Sequence, residues 1–185
     1  MSKVAVMLAE GFEEGEALTI VDIIRRANIE CHMISIAEEK VSGCHDIVVK
    51  ADAIISDDVK EYDMIVLPGG LPGATNLRDD DKVIKLLKEM NNAVKFVCAM
   101  CAAPIALGKA GVLEGKNFTA YAGYDEKIET TGTFKEDSVV VDGNLITSRG
   151  PATAYAFAYK LVDVLGGDSL AVKNRMVYFN AFNAE

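Results

Sequence analysis

The sequence predicts an α/β sandwich: a mostly parallel sheet covered by helices on both faces, with one small antiparallel hairpin. Three observations carry that reading. Short apolar runs alternate with helix-period patterns along the chain. The runs are apolar on both faces, as strands buried on two sides must be. At 185 residues, half of them apolar, the chain is long enough for one full core and short for two, so a single domain over 1–185 is expected.

The elements follow in order. Lys3 to Ala9 is an apolar run that reads as the first strand, and the loop GFEEGE leads from it into EALTIVDIIRRANI. That helix is apolar at Ala17, Ile20, Val21, Ile24 and Ala27, while Leu18 and Ile23 widen the face beyond one stripe. The extra width is read as a second contact, with a second subunit as the candidate. A strand at Cys31 to Ile36, a hairpin through VSGCHDIVVKAD and a strand YDMIVLP ending in Gly69 and Gly70 come next. After a loop, Asp79, Asp80 and Asp81 mark a helix start whose buried face is Val83, Leu86, Leu87 and Met90. Strand VKFVCAM, helix APIALGKAG and strand NFTAYA follow. SVVVDGNLIT reads as a hairpin turning at Asp142-Gly143. Pro151 then suits the first turn of a last helix, and Gly166-Gly167 its end.

Composition excludes several functions. The net charge of −9, with basic residues dispersed, argues against nucleic acid or an anionic membrane surface as partner. No apolar run reaches the roughly 18 residues of a membrane span, and the start of the chain lacks the features of a signal peptide. A cytoplasmic protein is expected. Cys31, Cys44, Cys98 and Cys101 do not form a disulfide framework, which fits a reducing compartment.

Chemistry is expected where parallel strands end and helices begin. Four such junctions stand out: GFEEGE, the glycines after YDMIVLP, Cys101 after VKFVCAM, and TSRGP. Cys101, at a strand-to-helix turn followed by small Ala102 and Ala103, has the setting of a nucleophile elbow. Unpaired N–H groups there would favour a thiolate; the plainer reading is core filler. Cys98 makes CAMC a C-x-x-C, but it lies inside the strand, and His32 and His45 offer no recognisable ligand pair, so Cys98 is read as filler and no metal centre is expected. Of Glu13, Glu14 and Glu16, any turned inward beneath a thiolate would have a raised pKa and could donate a hydrogen bond to sulfur; otherwise all three are a solvated helix start. The PGG glycines are either a tight turn or a backbone approach presenting N–H groups to an oxyanion. Arg149 is read as structural and His45 as plain surface.

Taken together, LAEGFEEGEA, DIIRRANI, VLPGGLPGATNL, CAMCAAP and LITSRGPATAYAFA resemble the ThiJ/PfpI superfamily, and within it the DJ-1/YajL branch, in order and with near-matching spacing over essentially the whole chain. The resemblance implies a flavodoxin-like three-layer sandwich and a homodimer through the first helix. It places a reactive, oxidation-prone cysteine at Cys101, a protonated glutamate hydrogen-bonded to it at Glu16, and oxyanion-type backbone N–H groups at Gly70 and Ala102. One departure matters: where the DJ-1 branch carries a histidine in a Thr-His-Pro run, this chain reads Ala120-Tyr121-Ala122. That argues against a Cys–His peptidase dyad.

Two functions fit. The first is a cofactor-free glyoxalase or deglycase-type reaction on a small α-oxoaldehyde such as methylglyoxal, with Cys101 as nucleophile and Glu16 as acid/base. The second is a non-enzymatic redox sensor or stress chaperone working through oxidation of Cys101 to sulfinate. A role in thiazole biosynthesis finds no phosphate-binding or cofactor motif.

Overall fold

A computed structural model describes residues 2–179 and 181 of the chain. In chain order its elements are β1 (Lys3–Leu8), α1 (Glu14–Arg26), β2 (Glu30–Ser35), β3 (Lys40–Ser42), β4 (Val48–Lys50), β5 (Ala53–Ile54), β6 (Met64–Leu67), α2 (Gly73–Asp79), α3 (Asp81–Asn92), β7 (Phe96–Met100), α4 (Pro104–Lys109), β8 (Asn117–Phe118), β9 (Thr133–Phe134), β10 (Val139–Asp142), β11 (Leu145–Ser148), α5 (Ala154–Val164) and α6 (Ser169–Arg175). Seven strands form the main sheet in the order β10-β11-β7-β6-β1-β2-β5. All neighbours are parallel except β10 and β11, the predicted hairpin.

The apolar runs become central strands because both of their faces are covered. Val4 to Leu8, Met64 to Leu67 and Val97 to Met100 are all fully buried. Helices α1, α5 and α6 pack on one another, as do α2, α3 and α4. Right-handed crossovers place the two sets on opposite faces of the sheet, giving the three-layer, flavodoxin-like sandwich. No helix among the described residues is long and apolar enough to cross a membrane.

Helix α1 forms against its own propensity. Gly15, Thr19 and four β-branched Ile and Val residues each cost up to about 1 kcal/mol relative to alanine. Burial of Ile20, Val21, Ile23 and Ile24 outweighs this at about 1.5–3 kcal/mol each. Glu13 caps the start by accepting the Gly15 N–H at 3.2 Å, and Arg25 and Arg26 favour the last turn. Ile23, expected to serve a second contact, is fully buried within the single chain, on a helix that packs along α5. The extra width of the face is therefore largely used inside the protein, and Leu18 alone of the two stays exposed.

Three further departures from the sequence expectations are local. The loop after Gly70 contains α2, and the triple aspartate divides two helices: Asp80 caps α3 by accepting the N–H groups of Lys82 and Val83. The late hairpin turns at Gly143-Asn144, one residue further on, with Asp142 paired to Leu145. NFTAYA is a strand only at Asn117–Phe118, in a two-stranded pair with β9 outside the main sheet. Beyond it, Thr119 N–H goes to Thr147 Oγ1 and Tyr121 N–H to the carbonyl of Cys101, so the chain is diverted to the sheet's carboxyl edge.

Candidate active site

Cys101 follows β7 directly and has φ +58°, a left-handed conformation that costs a side-chain-bearing residue about 1–2 kcal/mol. Its neighbours enforce it. The Cys101 N–H donates to the Ser148 carbonyl at 3.0 Å, and its own carbonyl accepts from the Tyr121 N–H at 2.8 Å. Ala102 and Ala103 are buried, and the chain turns at once into α4 through Pro104. The elbow lifts the thiol off the strand and turns it toward the first turn of α1.

Glu16 lies there, with no solvent exposure. Its Oε2 accepts the Gly69 N–H at 2.7 Å, while Oε1 is buried without a hydrogen-bond partner. Burial raises the Glu16 carboxyl to about 7, against the lowering effects of the Gly69 N–H and the Cys101 side chain; the charge of Glu13 adds to the rise. Burial also pushes the Cys101 thiol up, and the Glu16 carboxylate pushes it further, while the N–H groups of Ala102 and Gly70 pull it down. The sequence expectation of a simple low-pKa thiolate is thus opposed by burial, which the motif does not reveal. Two negative charges side by side are disfavoured, so the pair holds one charge, with the remaining proton on sulfur or on the carboxyl.

Gly69 and Gly70 make this approach possible. A Cβ on Gly69 would sit 2.6 Å from Cys101 Cβ, 2.9 Å from Glu16 Oε2 and 3.0 Å from Cys101 Sγ. Gly69→Ala should therefore cost about 1–3 kcal/mol by overpacking and slow iodoacetamide alkylation of Cys101. An unchanged melting temperature and alkylation rate would show that the two segments are not in this contact. Gly69 also ties the loops together, its carbonyl accepting the Glu13 N–H at 2.9 Å.

Of the residues singled out in the sequence, Cys101, Glu16, Gly70 and Ala102 converge. Cys98 is fully buried within β7, its thiol held well above the ordinary value by burial. Arg149 donates to the Glu136 carbonyl, away from the thiol. Tyr121 contributes its backbone to the elbow while its ring is half exposed. His32 pairs with Tyr62 and His45 with Glu14, so neither is placed as a partner for Cys101. His45 lies at the surface as expected, but Glu14, expected to be a solvated carboxylate, is buried and bound to the His45 side chain and backbone. Ser148 was missed as a support of the site, and Gly69 was read only as one of the PGG glycines, not as the donor to Glu16. Gly69 was visible as the first glycine of PGG, whereas nothing in TSRGP marks the Ser148 carbonyl.

A strained cysteine elbow at the carboxyl edge of a parallel sheet, set over a buried glutamate from the first helix, defines a class of α/β proteins with one cysteine held at a strand-to-helix turn. The chain belongs to the DJ-1/PfpI family, whose family model matches residues 2–164. It is 38% identical over 171 residues to protein dj-1beta of Drosophila melanogaster, covering 90% of this chain and 91% of that one. It is 37% identical over 174 residues to protein DJ-1 homolog B of Arabidopsis thaliana, covering 92% of this chain but 40% of that longer one. It is 32% identical over 165 residues to deglycase TK1284 of Thermococcus kodakarensis, covering 88% and 99%. Among solved structures, oxidized Toxoplasma gondii DJ-1 superposes with a TM-score of 0.89 at 33% identity, covering 96% of this chain and 98% of that one.

Proposed function

We propose that the protein is a cofactor-independent glyoxalase- or deglycase-type enzyme that removes α-oxoaldehydes such as methylglyoxal, a role in carbonyl and oxidative stress protection. The observation that carries the reading is Glu16: a fully buried carboxyl of raised pKa with Oε1 unpartnered, beside a nucleophile on an elbow. Structural glutamates are seldom left this way, whereas an acid/base that must alternate between protonated and ionised forms is.

The chemistry balances without a cofactor. With the proton on Glu16, the Cys101 thiolate is held by the N–H groups of Gly70 and Ala102 and attacks the aldehyde carbon. The new oxyanion takes the Glu16 proton, giving a hemithioacetal. The Glu16 carboxylate then removes the proton from that carbon and returns it to the neighbouring one, while the hydroxyl proton passes to the neighbouring oxygen, converting the hemithioacetal to a lactoyl thioester. Water hydrolyses the thioester, releasing lactate and regenerating the thiol. The relative named as a deglycase supports this reading.

A second reading, a redox sensor or stress chaperone, draws on the same pair. Stepwise peroxide oxidation would take the Cys101 thiolate to sulfenate and sulfinate, whose oxygens would meet the protonated Oε1 of Glu16 and the two N–H groups. We also assign a homodimer through α1, where Leu18 is 37% exposed, and a cytoplasmic location.

The test is lactate formation from methylglyoxal by the wild-type chain, the peroxide-treated chain and Cys101→Ser. Turnover in the wild type alone is the expected result. Turnover no higher than that of Cys101→Ser would overturn the enzymatic reading and leave the redox one.

A further inference from the structure

A second cluster of reactive side chains lies on the other side of the Glu13 turn. Cys44 Sγ is 3.1 Å from Glu13 Oε2, 3.5 Å from Glu14 Oε2 and 3.2 Å from His45 Nδ1. His45 Nδ1 is in turn 2.9 Å from Glu14 Oε2 and 3.4 Å from Glu13 Oε2. All four atoms lie within 4.8 Å of one another.

We propose that Glu13, Glu14, Cys44 and His45 form a binding site for a divalent transition metal of the zinc class, separate from the Cys101 centre.

The geometry fits. Tetrahedral zinc with ordinary Zn–S, Zn–N and Zn–O distances has ligand-to-ligand edges of roughly 3.4–3.6 Å. Five of the six edges lie within about 0.5 Å of that range, and the sixth, between the carboxylates of Glu13 and Glu14, is within 4.8 Å. One sulfur, one imidazole nitrogen and two carboxylate oxygens also form a donor set suited to zinc rather than to calcium or magnesium, which take oxygen ligands.

The thiol and Nδ1 supply at most two protons for five short contacts, each with sulfur or Nδ1 at one end, so those protons are shared among them, and a cation taking their place would engage all four side chains at once. When Zn–S forms, the Cys44 proton leaves to solvent.

The supporting shell is already in place. Glu14 Oε1 is held by the N–H groups of His45 at 2.7 Å and Ile47 at 3.4 Å, leaving Oε2 to point into the cluster. Gly43 makes room for it, since a Cβ there would fall 2.1 Å from Glu14 Oε1. Backbone bonds from Cys44 N–H to the Phe12 carbonyl and from Gly11 N–H to the Ser42 carbonyl join the two ligand-bearing segments. Four ligands thus arrive on two short stretches of chain fixed to each other. The sequence expectation of no metal centre weighed Cys98, Cys101 and the two histidines, but did not bring Cys44, Glu13 and Glu14 together with His45.

The test is titration of the full-length chain with Co²⁺, followed by competition with Zn²⁺. The wild type should bind one Co²⁺ with the intense visible bands of a tetrahedral site and a thiolate charge-transfer band, all bleached by Zn²⁺. Cys44→Ser should lose the thiolate band and Cys101→Ser should keep it. His45→Ala, at an exposed side chain that leaves the fold intact, should weaken binding by roughly 10–100-fold or more. Absence of a tetrahedral thiolate spectrum in the wild type would overturn the proposal. So would a band that survives in Cys44→Ser and vanishes in Cys101→Ser.

Discussion

Glu16→Gln should make the protein more stable and less active at once. Burial holds the Glu16 carboxyl at about 7 in the folded chain against an ordinary 4.5, and the residue has no solvent exposure that would screen the effect. Between these two values the folded state binds more protons than the unfolded one, so this group's contribution makes stability fall as pH rises from 4.5 to 7. Above that window the folded protein carries a buried charge at a cost of about 3 kcal/mol, and below it the cost is gone. Glutamine cannot ionise, and its amide oxygen can still accept the Gly69 N–H. The variant should therefore be more stable than wild type by up to about 3 kcal/mol at pH 8 and nearly equal to it at pH 4, by urea denaturation at each pH. Because glutamine cannot accept a proton from carbon, the reaction proposed above requires kcat with methylglyoxal to fall by about 100- to 10,000-fold. A stability difference that does not change between the two pH values would mean that Glu16 carries no unfavourable charge at pH 8.

The second large effect is expected at Gly70. Its φ of +89° is a conformation that residues with a Cβ rarely adopt, and a Cβ there would stand 2.4 Å from Glu13 N, 2.6 Å from the Gly11 carbonyl oxygen and 2.6 Å from Phe12 C. These are main-chain atoms that cannot rotate aside. Strain in φ and overpacking together should cost Gly70→Ala about 2–5 kcal/mol. The loss should appear as a lower urea midpoint with an unchanged slope, and should move the Gly70 N–H away from Cys101. A loss below about 1 kcal/mol would show that the two loops separate easily.

These effects differ in how far the sequence announces them. The strand-to-helix elbow at Cys101 was legible because it depends on neighbours in the chain: an apolar run ending, two alanines and an early proline. The parallel sheet was legible because strands buried on both faces leave unbroken apolar runs. Helix α2 was not, since Gly73, Thr75 and Asn76 are weak helix formers without an apolar stripe, and its order comes from bonds to the Gly11 loop. Burial at Cys101 was hidden for a related reason: it arises from Glu16, Gly69 and Ser148, which lie on three other segments. The pairing of Glu13 and Glu14 with Cys44 and His45 spans about thirty residues, beyond any local spacing rule.

The peptide of Gly69 has a consequence for how this site can be altered. Its N–H holds Glu16, its carbonyl holds the backbone of Glu13, and the Gly73 N–H bonds the Gly11 carbonyl alongside. The acid is therefore located by main chain rather than by side-chain packing. Leu71, two residues further along the chain than Gly69, is exposed. Position 71 is thus a place where an engineer can vary the surface next to this seam while the main-chain bonds that hold Glu16 stay where they are.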